Sequence, residues 1–231
     1  MKEPGNKTPS KNHESTRHAL IGAGLELFGE YGFKATSTRM LSEASGANVS
    51  AIPYYFGNKE GLYKAVVEHI AERSANFIGP AYKEIQIVRS KGALTKNEAR
   101  KALKKVVESM AAMFVDSDEP KSWALIIMRE QARPTEAFDI LYNSMMKNMH
   151  VLLSDLIASY AGLNHESDEA KIRAHAFIGQ VLVFVSSREA ILRRLGVKKL
   201  KERHIDLIHK ILWAHTEAAL KVPGLDEGKV S

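Results

Sequence analysis

Cysteine is absent from the 231-residue chain. This excludes a disulfide framework, a thiolate nucleophile and cysteine-ligated zinc or iron–sulfur sites, and it suits a reducing compartment such as the cytoplasm. Long hydrophobic runs are also missing. The most apolar run, Ala174 to Val185, is bounded by Arg173 and Arg188 and is shorter than the roughly 18 to 20 residues that cross a bilayer. No apolar segment follows the first charged residues, so we expect no secretory signal and no membrane partner.

The common catalytic and metal-binding patterns are missing as well. None of the nine histidines is spaced three or four residues from another, as a helical metal site requires. There is no G-x-S-x-G elbow, Walker loop or H-E-x-x-H motif. The pair Gly22 and Gly24 is followed by Leu27 where a dinucleotide loop needs a third glycine. We therefore expect no catalytic residues, no metal and no cofactor. The enzymatic alternative is an all-α protein that binds or degrades a small molecule in a C-terminal cavity.

Charge of one sign is scarce in the N-terminal part. The chain carries a net charge of +6, yet residues 1–75 hold nine Lys and Arg against eight Asp and Glu. The surplus lies mostly in the second part, around residues 193–203, where a solvated helix end is the ordinary explanation. A nonspecific architectural DNA binder, which depends on charge, is therefore disfavoured.

What the sequence does contain is helical periodicity throughout, without the alternating pattern of strands. With 45% hydrophobic and 26% charged residues, the chain is expected to be globular and all-α. Four short N-terminal helices precede a set of longer ones. This predicts a disordered tail at 1–14, a helix-turn-helix domain at 15–75, a C-terminal helical domain at 76–221 and a tail at 222–231. Later helices are predicted over 58–73, 95–115, 118–132, 134–160, 167–196 and 202–220.

Two short predicted helices, 37–45 and 48–56, are joined by a turn at Gly46-Ala47 and form a helix-turn-helix. The second can enter a DNA major groove, and hydroxyl and methyl groups at its tip suit base edges and phosphates. Pro53 predicts a kinked or partly 3₁₀ end of this helix, since it lacks an N–H. The alternative is plain helix packing without DNA. The candidate DNA-binding residues are Thr36, Ser37, Arg39, Val49, Ser50, Ala51, Pro53, Tyr54, Tyr55 and Lys59.

The stretch from Leu20 to Tyr63 resembles the DNA-binding domain of the TetR-type (TetR/AcrR) transcriptional regulators. The most specific matching block runs from Tyr54 to Leu62, YYFGNKEGL. The C-terminal part resembles the CecR-like (YbiH-like) branch of that family. That likeness rests on three blocks: Arg129-Glu130-Gln131, Pro134-Thr135-x-x-Phe138, and Phe177-Ile178-Gly179-Gln180. The resemblance implies a homodimeric DNA-binding regulator, most often a repressor, which a small-molecule effector releases from a palindromic operator.

The resemblance also implies an effector cavity and a dimer surface in the C-terminal domain. An apolar or amphipathic effector is expected among residues Trp123, Ile127, Glu130, Phe138, Met145, Met149, Phe184 and Arg188. Glu130 and Arg188 each lie along an apolar face and need partners; they pair with each other, or one of them orients a polar ligand group. The helix after Asp168 is apolar on more than one side. With the last helix it is expected to form a two-plus-two bundle with a second subunit through Val181, Val185, Leu192, Ile208 and Leu212.

Overall fold

The computed structural model describes residues 11–90, 92–116 and 120–225. Every regular element in these ranges is helical, as the periodicity predicts. The α-helices are α1 (Lys11–Ala35), α2 (Thr38–Ser45), α3 (Ala51–Phe56), α4 (Lys59–Arg89), α5 (Lys96–Ala111), α6 (Pro120–Ala132), α7 (Glu136–Leu141), α8 (Lys147–Ala161), α9 (Asp168–Ser186), α10 (Arg188–Leu195) and α11 (Glu202–Leu220).

The first and fourth helices are longer than the sequence predicts. Helix α1 begins at Lys11, so residues 11–14 are helical rather than part of a tail; residues 1–10 and 226–231 lie outside the described ranges. Helix α4 continues to Arg89 instead of ending at Arg73, and it passes through Pro80. Proline removes one backbone hydrogen bond within a helix. Buried Ala81 and Ile85 continue the helical spacing beyond it and hold the last turns in place.

Two predicted long helices are interrupted. The one expected over 134–160 contains a π-helical segment at Tyr142–Met146, between α7 and α8. A second π-helical segment, Ala112–Asp116, follows α5. The helix expected over 167–196 breaks at Ser187 into α9 and α10, which are bent by 64°. The capping box of Thr95 and Glu98 at the start of α5 and the helix over 202–220 are confirmed.

The chain divides into two compact units by its contacts. Of the described residues, the first contains those up to 70 and those over 122–140, and the second contains those over 71–121 and those from 141 onwards. Residues 122–140, which the sequence places in the C-terminal domain, therefore group with the helix-turn-helix; the division at residue 75 stays a sequence-based prediction. The core of the first unit includes Leu20, Phe28, Leu41, Ile52 and Leu62. That of the second includes Val106, Met110, Leu153, Val181 and Leu212.

A membrane-crossing helix is not found among the described residues. No one helix there has both the length and the hydropathy that a bilayer requires, and only α9 and α10 taken together, with their 64° bend, meet those two criteria.

Candidate nucleic-acid interface and effector cavity

Local capping shapes the helix-turn-helix. The Ser37 hydroxyl accepts a hydrogen bond from the amide of Met40 and begins α2. Gly46 ends it in the left-handed conformation, φ 66°, where glycine has no steric cost. The Asn48 side chain then accepts hydrogen bonds from both the amide and the hydroxyl of Ser50, each at 3.0 Å. The turn between α2 and α3 is thus held by its own side chains.

The block Tyr54 to Leu62 is explained by the tight connection from α3 to α4. Gly57 adopts φ 78°, and the Asn58 side chain caps α4 by accepting the amide of Gly61 at 2.8 Å. A Cβ on Gly61 would collide with the carbonyl oxygen of Phe56. Each of these positions therefore has a steric or hydrogen-bonding reason, and together they fix the direction in which α4 leaves α3.

Pro53 does not kink the end of α3, contrary to the expectation from the sequence. The helix begins at Ala51, so Pro53 lies in its first turn, where a backbone N–H has no intrahelical partner in any case. The end of α3 is regular, since the amide of Gly57 donates to the carbonyl of Pro53 at 3.0 Å. The sequence prediction placed the helix start at residue 48 and so put Pro53 in its interior.

Most of the candidate DNA-binding residues lie at the surface. Tyr54 is 71% exposed and Val49 is 49% exposed. The further exposed residues of the set are Ser37, Arg39, Ser50 and Pro53, and the half-buried ones are Ala51 and Tyr55. Arg39 forms an exposed ion pair with Glu43 at 2.8 Å. Such a pair is weak, so it leaves the guanidinium available to a phosphate.

Two residues of the set have structural partners instead. Thr36 is 1% exposed, and its hydroxyl donates to the carbonyls of Gly32 and Leu27, which removes it from the candidate interface. The Lys59 ammonium donates to the carbonyls of Phe33 and Thr36 at 3.1 and 3.0 Å. It also lies 4.3 Å from the centroid of the Phe33 ring. Lys59 therefore ties the start of α4 to the end of α1.

The segment from α6 to α7 docks on the helix-turn-helix within the first unit. Arg129 donates to the carbonyl oxygens of Phe28 and Glu30 at 2.6 and 2.9 Å, next to Gly32, where α1 is kinked with φ 80°. On the other side of the segment, Lys64 of α4 pairs with Glu136 of α7 at 2.7 Å. Contacts with both α1 and α4 hold α6 and α7 against the helices that flank the helix-turn-helix.

Glu130 forms the buried centre of this docking. Its carboxylate is 3% exposed and accepts hydrogen bonds from the Tyr63 hydroxyl at 2.8 Å and from the amide and hydroxyl of Thr135 at 3.0 and 2.9 Å. Burial raises the pKa of Tyr63, and the hydrogen bond to Glu130 raises it further. Within the first unit, Tyr63 and Thr135 thus engage both carboxylate oxygens, whereas Arg188 belongs to the second unit and its pairing with Glu130 stays a sequence-based prediction.

A cavity of about 180 Å³ lies in the second unit. Helix α4 forms one wall, and the π-helical segment with the start of α8 forms the other. The lining mixes apolar and polar side chains: Ala71, Ser74, Ala75, Ile78, Gly79, Tyr82, Ser144, Met145, Asn148 and Met149. Its volume is slightly above that of an engineered 150 Å³ apolar cavity that binds benzene.

Of the predicted effector-binding residues, only Met145 and Met149 line this cavity. Trp123 and Ile127 are buried in the first unit, and Phe138 is half-buried there. Phe184 and Arg188 are half-buried on α9 and α10 and are not part of the lining. The wall from α4 was missed because the predicted helix ended at Arg73. Continuing the three- and four-residue spacing through residues 74, 78 and 82 would have found it.

The predicted dimer residues are corrected in part. Val181, Ile208 and Leu212 are at most 7% exposed within the single chain, so they form its core and not a free surface. Val185 and Leu192 are half-buried. The opposite faces of the same helices are exposed instead: Ile172, Ala176, Gly179 and Val183 on α9, and Leu207, Ile211, Ala214 and Ala218 on α11.

A capped helix-turn-helix with an exposed tip on its second helix, together with a helical unit that contains a cavity, is the arrangement expected of a DNA-binding regulator of the two-part helical type. Comparisons with known proteins agree. Residues 20–66 match the family model for bacterial regulatory proteins of the tetR family. Residues 99–221 match the model for the C-terminal domain of the HTH-type transcriptional dual regulator CecR.

Individual relatives extend the match over at least 90% of the chain. CecR of Shigella flexneri is 30% identical over 208 residues, which cover 90% of this chain and 92% of that protein. A putative transcriptional regulator from Pseudomonas aeruginosa PAO1 superposes with a TM-score of 0.60 at 16% identity, covering 92% of this chain and 97% of that one. A putative TetR-family regulator from Mesorhizobium loti superposes with a TM-score of 0.57 at 16% identity, covering 94% of this chain and 100% of that one. This chain belongs to the TetR family of transcriptional regulators, in its CecR-like branch, and is not an enzyme.

Proposed function

We propose that this regulator binds a palindromic operator as a homodimer, represses transcription there, and is released by a small amphipathic effector. It would act in the cytoplasm, where a bacterial chromosome lies. The observation that carries the proposal is the exposed tip of α3. Six residues form this helix, which is too few for it to be stable alone, so the capped turns on either side hold it in place. Tyr54 of α3, and Val49 and Ser50 in the turn just before it, face outwards.

Sequence preference would come from these side chains rather than from charge. The Tyr54 hydroxyl can donate to a phosphate or a base edge, and the Val49 methyl groups can contact a thymine methyl. Arg39 supplies a cation at the start of α2, where the exposed ion pair with Glu43 competes only weakly. Since few cations surround α3, we expect a shallow dependence of operator affinity on salt.

The exposed stripes of α9 and α11 support the homodimer. Ile172 is 68% exposed, Leu207 55% and Val183 46%, an unusual amount of apolar surface for two adjacent helices of a monomer. Ala176 and Gly179 lie between the larger residues of the α9 stripe and permit close helix approach. A twofold axis beside these helices would bury both stripes and set two copies of α3 about one DNA turn, 34–36 Å, or a multiple of it, apart.

Helix α4 supports coupling between effector and operator. Its first residues follow α3 directly, and residues 71–82 line the cavity. An effector that favours one position of this wall would shift the equilibrium between conformations of α4. A coupling free energy of 1–3 kcal/mol, which is typical, would change operator affinity about 5- to 150-fold. From its size and lining, the cavity suits one aromatic ring or short aliphatic chain with a hydrogen-bonding group.

The DNA-binding proposal is tested by selecting duplexes from a random pool with the purified protein. We expect enrichment of a palindrome. Tyr54→Ala should weaken binding of the enriched duplex about tenfold, by the loss of a hydrogen bond and of ring contacts, whereas Tyr142→Ala, at a 43% exposed tyrosine of the second unit, should leave it unchanged. A pool without enrichment, or equal affinities of the two variants, would refute the proposal.

The effector proposal is tested by filling the cavity. Outside its own helix backbone and its chain neighbours, a Cβ on Gly79 meets no atom within 4 Å, so the side chain of Gly79→Leu has room to extend into the cavity. Because Pro80 crowds a Cβ on the residue before it, an unchanged melting temperature is measured first to check that the variant folds normally. We expect this variant to bind the enriched duplex normally but to lose the response to phenol and indole as small amphipathic probes. Gly22→Leu, at an exposed and equally open helical glycine, is the control. A Gly79→Leu protein that responds like the wild type would place the effector elsewhere.

A further inference from the structure

The first turn of α1 reaches the tip of α3. His13 lies outside the TetR-family match, which begins at residue 20, and sequence reasoning assigned it to a tail. Its Nε2 atom is 3.1 Å from the Tyr54 hydroxyl. The imidazole also meets both tyrosine rings edge-on, with centroid distances of 5.4 Å to Tyr54 and 4.6 Å to Tyr55.

These contacts restrain a side chain that otherwise has few neighbours. Tyr54 is 71% exposed, and among the described residues its other ring contact is with adjacent Tyr55 at 5.0 Å. An exposed tyrosine samples several rotamers, and binding DNA would have to fix one of them at an entropic cost. His13 selects one rotamer before DNA arrives, which is a gain in preorganisation.

The chemistry of the pair suits a phosphate. A tyrosine hydroxyl is both donor and acceptor, and an imidazole can donate through Nε2–H. When the Tyr54 hydroxyl donates a hydrogen bond to a phosphate oxygen, its own oxygen can still accept a hydrogen bond from the Nε2–H of His13. The imidazole therefore remains a partner of Tyr54 in the bound state and polarises the hydroxyl towards the anion.

We propose that His13 is a positioning residue of the DNA interface, which holds the Tyr54 hydroxyl in place to donate to a backbone phosphate. This inference rests on the proposed function, because it takes α3 as the DNA-contacting helix. It extends the interface to a helix turn that the matched family domain does not include.

The test separates the hydrogen bond from ring packing. His13→Phe keeps an aromatic edge against Tyr55 but has no donor, and His13→Gln keeps an N–H donor at a similar reach. Both are compared with Tyr54→Phe and with the double variant His13→Phe/Tyr54→Phe. The probe is the duplex most enriched by the wild-type protein, with a scrambled duplex beside it. His18→Phe is the matched control, since His18 is an exposed histidine of the same helix whose ring, in the part of the chain that the structure describes, bonds to the Glu14 carbonyl and not to α3.

We expect His13→Phe and Tyr54→Phe each to weaken binding about three- to tenfold, the range of one net hydrogen bond. The double variant should lose no more affinity than whichever single variant loses more. The two losses are not additive, because both substitutions break the same coupled pair. His13→Gln should restore most of the affinity, His18→Phe should bind like the wild type, and all variants should keep the wild-type melting temperature.

Other outcomes overturn the inference. Normal binding by His13→Phe beside weakened Tyr54→Phe would refute the role of His13 and leave the proposed function intact. Additive losses, or a lowered melting temperature without rescue by glutamine, would show that His13 acts independently of Tyr54 or only on folding. Normal binding by both Tyr54→Phe and Tyr54→Ala would refute the interface itself.

Discussion

Replacing Glu130 tests whether α6 and α7 are locked to the DNA-binding helices. The side chain has three donors within hydrogen-bond distance and almost no contact with water. Glu130→Ala removes the acceptor from all of them. Thr135 is exposed, so water can replace its lost partner. Tyr63 is only 8% exposed, and its hydroxyl would be left buried without an acceptor.

The expected magnitudes follow from these environments. A buried donor left unsatisfied costs about 1–3 kcal/mol, and a lost hydrogen bond to a charged group costs about 1.5–3 kcal/mol. Since desolvation of the carboxylate offsets part of this, we expect Glu130→Ala to lower the free energy of unfolding by about 2–4 kcal/mol. Tyr63→Phe leaves the Thr135 donors in place and should cost about 1 kcal/mol.

Glu130→Gln is the informative comparison. Its amide oxygen can take the position that accepts from Thr135, and its NH₂ group can donate to the Tyr63 hydroxyl, which then reverses its role from donor to acceptor. We therefore expect a loss below about 1 kcal/mol. The loss of unfolding free energy should be largest for Glu130→Ala, smaller for Tyr63→Phe and smallest for Glu130→Gln. This order is specific to a network in which neutral groups donate to both carboxylate oxygens.

The assay can follow the first unit separately. One of the two tryptophans, Trp123, lies in α6 and is 1% exposed, whereas Trp213 belongs to the second unit. Urea unfolding monitored by Trp123 fluorescence in a Trp213→Phe background gives the free energy for the unit that contains Glu130. A Gln variant as damaging as the Ala variant would show that the charge itself is required and that an unseen cation pairs with it. An Ala variant as stable as the background protein would refute the docking.

Three further predictions concern other elements. Lys59→Met should lower the melting temperature as well as operator affinity, because the ammonium caps the end of α1; an unchanged melting temperature would contradict this. Val183→Asp should leave a folded monomer in sedimentation, whereas Val181→Asp should unfold the second unit, since only Val181 is in the single-chain core. Burial and the neighbouring His175 lower the pKa of His150, so the unfolded chain binds the extra proton first as pH falls through about 6.5. The free energy of unfolding should therefore rise with pH between the lowered pKa of folded His150 and about 6.5, and this contribution should be lost as the pH falls through the same range. His150→Asn should flatten the pH dependence of the melting temperature.

The part of the site that could be read from the sequence is the part made by near neighbours. The turn at Gly46, the Asn58 cap and the capping box at Thr95 each depend on atoms within a few residues of one another, and such signals do not need the rest of the fold. The same holds for helical periodicity, which is why α11 was predicted with its observed ends. The likeness to the CecR branch included Glu130 but could not say what Glu130 does.

Only the tertiary structure decided which partner each side chain has. Glu130 meets Tyr63 across 67 positions, and His13 meets Tyr54 across 41; no local pattern encodes such distances. The faces of α9 and α11 were equally ambiguous, because both sides of these helices are apolar and periodicity cannot say which side packs inwards. The sequence by itself therefore determined the all-α class, the local caps and turns, and the family. Packing alone determined that Val181 is core, that Val183 is surface, and that α6 and α7 belong with the DNA-binding helices.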